Sequence, residues 1–326
     1  MGSSGFIWYT IEEKKRKIDM QMKNRGMKMK KKTLYADLAL LIVAFIWGST
    51  FVVIKDVLSQ TKPMGLMAMR FIVATALLSI IFHKKLKKIT KEEFVGGVVI
   101  GIFLYIALAV QTIGLIYTTA AKQSFLTTIY VVMVPFLTWI IYKKRPDMYS
   151  MIGAFLAIIG IGLLTIDESF SLSTLNKGDI LTLSCALFFA FHIVAIEYFS
   201  KDKEPIVLSI VQFGVAAILF LVSALIFEPF TLNLNPSVMK AMLYLALAGT
   251  VFAYTIQNVA QKYTEASHTA IILSLESVFG SLLAVLVLGE TLTMKMMLGC
   301  IVIFSGVILT ETKLEFLKMG KVKKYS

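Results

Sequence analysis

Apolar runs bounded by charged or turn-forming residues recur ten times along the chain, near residues 35–55, 64–83, 94–117, 123–142, 148–166, 179–199, 206–227, 238–260, 268–288 and 294–312. Each approaches the roughly 20 residues that an α-helix needs to cross the hydrocarbon of a bilayer. The pattern predicts an all-α polytopic membrane protein with ten transmembrane helices. It divides the chain into a basic tail (1–34), a first five-helix set (35–166), a connecting loop (167–178), a second five-helix set (179–312) and a second basic tail (313–326).

The two sets resemble each other. At offsets of 142 to 146, Asp37 falls on Asp179, Phe71 on Phe213, Gln111 on Gln257, Tyr117 on Tyr263, Gly153 on Gly299 and Gly160 on Gly306. A four-residue insertion between the second and third runs accounts for the change of offset. Five is odd, so the halves enter the membrane in opposite senses, and the fold expected is two inverted five-helix repeats around a central cavity. Such repeats are the signature of secondary carriers, because two similar halves can rock between inward-open and outward-open states.

Composition agrees with the pattern. Of 326 residues, 57% are hydrophobic and 16% charged, which excludes a soluble globule, for which about 45–50% and about 25% are usual. The net charge of +13 is not a nucleic-acid footprint, because the basic residues sit between apolar runs. With the N-terminus inside, 26 of the 33 Lys and Arg fall on the inner side and six on the outer, Arg70 lying within the second run. The positive-inside rule then puts both termini in the cytoplasm. Met1 to Thr33 carries ten Lys and Arg and no apolar run of its own, so it is not expected to be a cleavable secretory signal. Cys185 and Cys300 lie inside apolar runs and predict packing, with no disulfide framework and no zinc spacing.

The polar minority inside the runs carries the candidate chemistry. Thr250, Tyr254, Gln257, Asn258 and Gln261 fall on one helical stripe, which hydrocarbon would penalise, so it faces a cavity or a neighbouring helix. Glu276 lies about eight residues into its span, roughly 12 Å deep at 1.5 Å per residue. An ionisable group at that depth is a functional suspect, here a cation partner or a proton-coupling group, with a structural role as the alternative. Trp47 and Thr50 share a face, and their repeat partners Phe189 and His192 stand at equivalent depth. Tyr105, Gln111, Thr127 and Tyr130 are further candidates. Arg70 reads as a salt-bridging or structural residue, and its repeat partner Gln212 is also polar. Glycines at 97 and 101, and the seven-residue pairs 153/160 and 299/306, predict close helix packing. The spans hold no nucleotide, hydrolase or metalloprotease motif, so neither an enzyme, a cofactor nor a metal site is expected.

Three sets of residues, Ala44-Phe45-Ile46-Trp47-Gly48-Ser49-Thr50-Phe51 with Arg70-Phe71, Ser124 to Pro135, and Gln257 to Tyr263 with Ser274-Leu275-Glu276-Ser277-Val278, give the chain a resemblance to the drug/metabolite transporter superfamily and its EamA-type bacterial exporters. The resemblance runs from Tyr35 to Thr312. It implies a ten-helix basket in which spans one, three, four, six, eight and nine surround the cavity and spans five and ten lie outside it. It also implies export of small polar metabolites, amino acids foremost, across the bacterial cell membrane. Efflux of drug-like or aromatic cations is the alternative, and an intramembrane enzyme or a scaffold a remote one. The substrate is a small molecule and the surrounding partner a lipid bilayer, with no nucleic acid; the oligomeric state stays open. The binding residues expected are Trp47, Thr50, Tyr105, Gln111, Tyr130, His192, Tyr254, Gln257, Asn258 and Glu276. Ser277 stands where the family pattern has proline, which leaves no proline to kink span nine there, while Pro135 and Lys144-Arg145-Pro146 read as loop entry.

Overall fold

A computed structural model describes residues 32–143, 145–165, 176–228, 235–291 and 293–312. Most of both basic tails, most of the connecting loop and Lys144 lie outside the described residues. Every described element is a helix. In chain order these are α1 (Lys32–Val57), α2 (Pro63–Ile81), α3 (His83–Leu86), α4 (Lys91–Tyr117), α5 (Ala120–Thr127), α6 (Tyr130–Tyr142), α7 (Met148–Thr165), α8 (Lys177–Ser200), α9 (Pro205–Phe227), α10 (Pro236–Ala246), a π-helical turn (Leu247–Phe252), α11 (Ala253–Ala260), α12 (Ala266–Leu273), α13 (Glu276–Leu288) and α14 (Met294–Thr312).

Eight segments are long and apolar enough to cross a membrane: α1, α2, α4, α5 with α6, α8, α9, α10 through α11, and α12 with α13. The remaining two long helices, α7 and α14, hold shorter apolar stretches, Met148–Gly160 and Met297–Gly306. The outer surface suits hydrocarbon: Ile80 is 73% exposed, Phe155 62%, Phe227 78% and Leu286 79%. So much exposed apolar surface would be an aggregation liability in water.

Local chemistry sets the helix starts. Proline opens α2, α9 and α10, where its missing N–H costs no helical bond. Thr90 with Glu93 and Asn176 with Asp179 form reciprocal capping boxes at α4 and α8. Elsewhere a distant carboxylate completes the cap. Glu228 accepts from Met64 N and Gly65 N, Glu290 from Ala120 N and Ala121 N, and Glu197 from Ala266 N. These contacts satisfy orphan donors at positive helix ends and tie each helix start to a remote part of the chain.

Two spans are broken midway. α5 and α6 have 8 and 13 residues, and so do α12 and α13. The breaks fall at Thr128–Ile129 and Ser274–Leu275, where the backbone tightens into i→i+3 bonds such as Val131 N to Thr128 O (3.0 Å) and Ser277 N to Ser274 O (3.1 Å). Hydroxyls assist, Thr128 Oγ1 donating to Phe125 O and Ser274 Oγ to Ile271 O. Span nine therefore breaks without a proline, one residue ahead of Glu276. Pro135, by contrast, is no loop-entry residue: it is buried inside α6. α5 packs on α13 and α6 on α12, so the broken spans cross. At the crossing Gly280 meets Ser124 of α5 on one side and Gly48 of α1 on the other.

Two apolar cores result. One joins α2, α4, α9 and the second half of α1, and the other joins the first half of α1 with α6, α8, α11 and α12. Trp47, Ile129 and Phe189 pack against both. The glycines behave as packing residues. On α4, Gly97 abuts Val211 and Gly101 abuts Gln212 of α9, while Gly160 of α7 faces Gly299 of α14 and Gly306 faces Gly153. Cys185 is a free, buried thiol; the side chain of Cys300 lies outside the described residues.

A Cβ on Gly160 would sit 2.6 Å from Ile303 Cγ1 and 2.7 Å from the Gly299 carbonyl. Gly160→Leu is expected to part α7 from α14 at a cost of about 1–3 kcal/mol, read as a lower thermal-unfolding midpoint in detergent. An unchanged midpoint would mean that this contact does not hold the two helices together.

Candidate functional site

At the seam of the two cores lies a narrow cavity. Its fifteen lining residues come from α1, α2, α4, α5, α6, α8, α11, α12's successor α13 and no loop. Twelve of the fifteen form six pairs separated by 142 or 146 positions: Trp47/Phe189, Thr50/His192, Phe51/Ile193, Leu108/Tyr254, Gln111/Gln257 and Tyr130/Glu276. The offsets read from the sequence thus recur as facing walls of one chamber. Ile54, Arg70 and Thr127 complete the lining.

The helix breaks supply its chemistry. Tyr130 and Glu276 are the first residues of α6 and α13, and the Tyr130 hydroxyl donates to Glu276 Oε1 at 3.2 Å. Glu276 is 4% exposed and its other oxygen has no hydrogen bond among the described residues. A carboxylate at a helix N-terminus is favoured by the helix dipole, which offsets part of the cost of burying it.

Gln111 and Gln257 occupy equivalent positions and differ in satisfaction. Gln111 Nε2 donates to Thr127 Oγ1 at 3.1 Å. The position 146 residues beyond Thr127 is Leu273, which offers no hydroxyl. Gln257 is fully buried and, among the described residues, neither its Oε1 nor its Nε2 has a hydrogen-bond partner. An amide left this way costs about 1–3 kcal/mol, a cost that a polar ligand would remove.

The aromatic wall is built from Trp47 and Tyr254, with ring centroids 4.7 Å apart, and from Tyr130 beside Phe189. The Trp47 indole N–H donates to Gly249 O at 3.1 Å, within the π-helical turn. That turn shifts the polar stripe of span eight. Thr250 turns to Arg70, Tyr254 and Gln257 line the cavity, Asn258 Nδ2 donates to Ser209 Oγ at 2.6 Å and Gln261 Nε2 to Ile193 O at 2.9 Å. His192 is buried, with Nε2 3.0 Å from Gln212 Oε1, and its ring stands edge-on to Tyr254.

Eight of the ten residues expected at a binding site therefore meet here: Trp47, Thr50, Gln111, Tyr130, His192, Tyr254, Gln257 and Glu276. Asn258 and Tyr105 lie elsewhere. Asn258 bonds Ser209, and the Tyr105 hydroxyl bonds Ser223 while its ring packs edge-on to Phe220. Sequence reasoning missed Phe51, Ile54, Leu108 and Ile193 as lining, although the same offsets pair three of them. It read Arg70 as a salt-bridging or structural residue, and its bonds to Thr250 Oγ1 and Gly249 O fit the second of these. Arg70 lines the cavity and, among the described residues, has no carboxylate within ion-pair distance. The described residues hold no cluster suited to a metal ion.

Apolar helices long enough to cross a bilayer, wrapped around a buried polar chamber, define a multi-pass membrane protein built to hold a small molecule. The chain belongs to the EamA-like transporter family, whose domain matches twice, over residues 34–166 and 176–312. It is a transporter and not an enzyme. It is 37% identical over 284 residues to an uncharacterized transporter of Archaeoglobus fulgidus, covering 86% of this chain and 87% of that one. It is 28% identical over 285 residues to a Salmonella typhimurium protein named "Probable amino-acid metabolite efflux pump", covering 82% and 92%. A solved crystal structure shares the fold with a TM-score of 0.67 at 18% identity, covering 86% of this chain and 97% of that one.

Because the Gln257 amide holds no protein partner, Gln257→Leu is expected to leave the unfolding midpoint of the ligand-free protein unchanged or raised, and to lower substrate flux by about tenfold or more. A lowered midpoint with flux intact would make the amide structural.

Proposed function

We propose that the protein is a secondary carrier of the cell membrane that exports small polar metabolites, amino acids foremost, by alternating access. The observation that carries the reading is the chamber of paired positions at the crossing of two broken spans, with a buried Gln257 amide lacking any partner. Half-helix ends meeting midway across a bundle are how carriers present backbone and side-chain polar groups to a cargo. The names of two relatives favour amino acids, the second being an Escherichia coli protein 28% identical over 300 residues that is also named "Probable amino-acid metabolite efflux pump".

In this reading α7 and α14 are the fifth and tenth spans, packed on each other through Gly160 and Gly306 outside the cavity. The halves are inverted repeats, which fits the equal lengths of their broken spans and the 142- and 146-residue pairing of the walls. Both termini face the cytoplasm, where the excess of Lys and Arg falls. The ten binding residues reduce to the eight that line the chamber, with Glu276 the candidate for coupling. Efflux of aromatic cations is the second reading, favoured by Glu276 beside an aromatic wall and opposed by Arg70 in the same wall.

Proteoliposomes carrying the purified protein are expected to release preloaded radiolabelled amino acids, and an imposed pH gradient to change the rate. Glu276→Gln keeps the hydrogen bond from Tyr130 and is expected to abolish the gradient effect while downhill flux persists. Gradient-driven flux that survives the substitution would remove Glu276 from coupling. Flux of lipophilic cations alone would replace the amino-acid reading with the second one.

A further inference from the structure

We infer that Arg70 is the carboxylate anchor of the chamber, and that its cargo is a zwitterion of the α-amino acid type, bound between Arg70 and Glu276. The inference rests on the carrier reading above and deepens it.

Arg70 is 1% exposed and faces the cavity, yet every acceptor it has is neutral. Nε donates to Thr250 Oγ1 and Nη2 to Gly249 O at 3.0 Å, and Nη1 reaches only the Met67 thioether, at 3.8 Å. A guanidinium carries five N–H donors, so two are left over and a third meets a weak acceptor. A buried cation without a counter-charge is costly in an apolar interior, and such residues persist along substrate paths where a cargo supplies the missing charge. The carbonyl that anchors Nη2 belongs to the π-helical turn, and the same Gly249 O takes the Trp47 indole, so the guanidinium is held against the aromatic wall. A fixed fork of this kind suits a carboxylate held by two parallel bonds.

Glu276 supplies the complementary group. It lines the same chamber, is not within ion-pair distance of Arg70, and has one oxygen committed to Tyr130. One buried guanidinium and one buried carboxyl group in one chamber, not paired with each other, suit a molecule carrying both a carboxylate and an ammonium group. A permanent cation would meet Arg70, and a dicarboxylate would meet Glu276. The partnerless Gln257 amide can donate and accept, which suits the polar groups of the same head. Phe51, Ile54, Leu108 and Ile193 give the same chamber an apolar section of wall.

The test compares acids with their carboxamides, which keep the amino group and lose only the carboxylate charge, on purified full-length protein: L-leucine, L-methionine and L-phenylalanine against L-leucinamide, L-methioninamide and L-phenylalaninamide. Affinity is read from the ligand dependence of the unfolding midpoint. The wild type is expected to prefer each acid by about tenfold or more, the scale of a lost charge-assisted bond. Arg70→Gln is expected to bring the acid-to-amide ratio close to one, and Arg70→Lys to retain part of it. A merely structural Arg70 would weaken both ligands together and leave the ratio unchanged, which overturns the inference. So does a wild-type ratio near one, a measurement that needs no variant to fold. Equal flux of acids and amides would sink the anchor while sparing the carrier, whereas no flux of either in proteoliposomes would sink both.

Discussion

In an apolar surround every backbone N–H and C=O must find a partner inside the protein, and two mid-span breaks put that requirement under the greatest strain. At Thr128–Ile129 and Ser274–Leu275 the helical ladder is interrupted within a membrane-length apolar segment. Each break is sustained by short-range turns, by hydroxyls that return to the preceding carbonyls, and by the other broken span, which covers it. That mutual cover fixes the rest. Close passage of α5 and α13 demands Ser124 and Gly280 at the contact, and Gly280 in turn demands Gly48 on α1. The new helix starts then deliver Tyr130 and Glu276 to the same place. The chamber is where these constraints meet, and its walls repeat at 142 and 146 residues because both halves solve the same problem.

Charge is managed by the same logic of local satisfaction. Buried Asp179 accepts from Asn176 N and Thr118 Oγ1 and pairs with Lys122 at 2.8 Å. The positions related to this pair by the same offsets are Asp37 and His268, which lie 3.1 Å apart. Each pair joins the first helix of one half to the broken span of the other, so the ends of the crossing are pinned by an ion pair at one and an Asp–His contact at the other. Glu290 and Glu197 do comparable work on the first turns of α5 and α12. Against this background Arg70 stands out. It is a buried charged group lining the chamber with only neutral acceptors around it.

The helices were legible in the sequence because each apolar run is close to membrane length, and capping signals such as Thr90 with Glu93 mark their starts. Eight of ten candidate residues line one cavity because polar groups in an apolar run are costly wherever they do not face a cavity or a neighbour. The same argument explains the two that went elsewhere. Tyr105 and Asn258 are polar for a neighbour, Ser223 and Ser209 respectively, and a single sequence does not distinguish a helix partner from a ligand. The break at Ser274 was hidden because the usual sign, a proline, is absent and serine hydroxyls take its place. The π-helical turn was hidden because it changes helical period without changing hydrophobic pattern. Through it Gly249, a residue without a side chain, became an acceptor for both Trp47 and Arg70.

Near-symmetry also accounts for where the chemistry sits. Of the six wall pairs only Gln111/Gln257 is identical, and it is made inequivalent by its surroundings, since Thr127 satisfies one amide and Leu273 cannot satisfy the other. Tyr130 faces Glu276, Thr50 is matched by His192, and Leu108 by Tyr254. Arg70 is matched by Gln212, which bonds His192 instead of lining the chamber. A perfectly two-fold chamber would present the same groups to both ends of its cargo, and an asymmetric molecule would bind in two orientations with equal ease. These substitutions give the chamber a guanidinium and a carboxyl group without identical counterparts and one amide unlike its twin in surroundings, so the proposed site would favour a single orientation of an asymmetric cargo. In the proposed carrier the repeat would supply a frame that can rock, and the departures from the repeat would supply recognition.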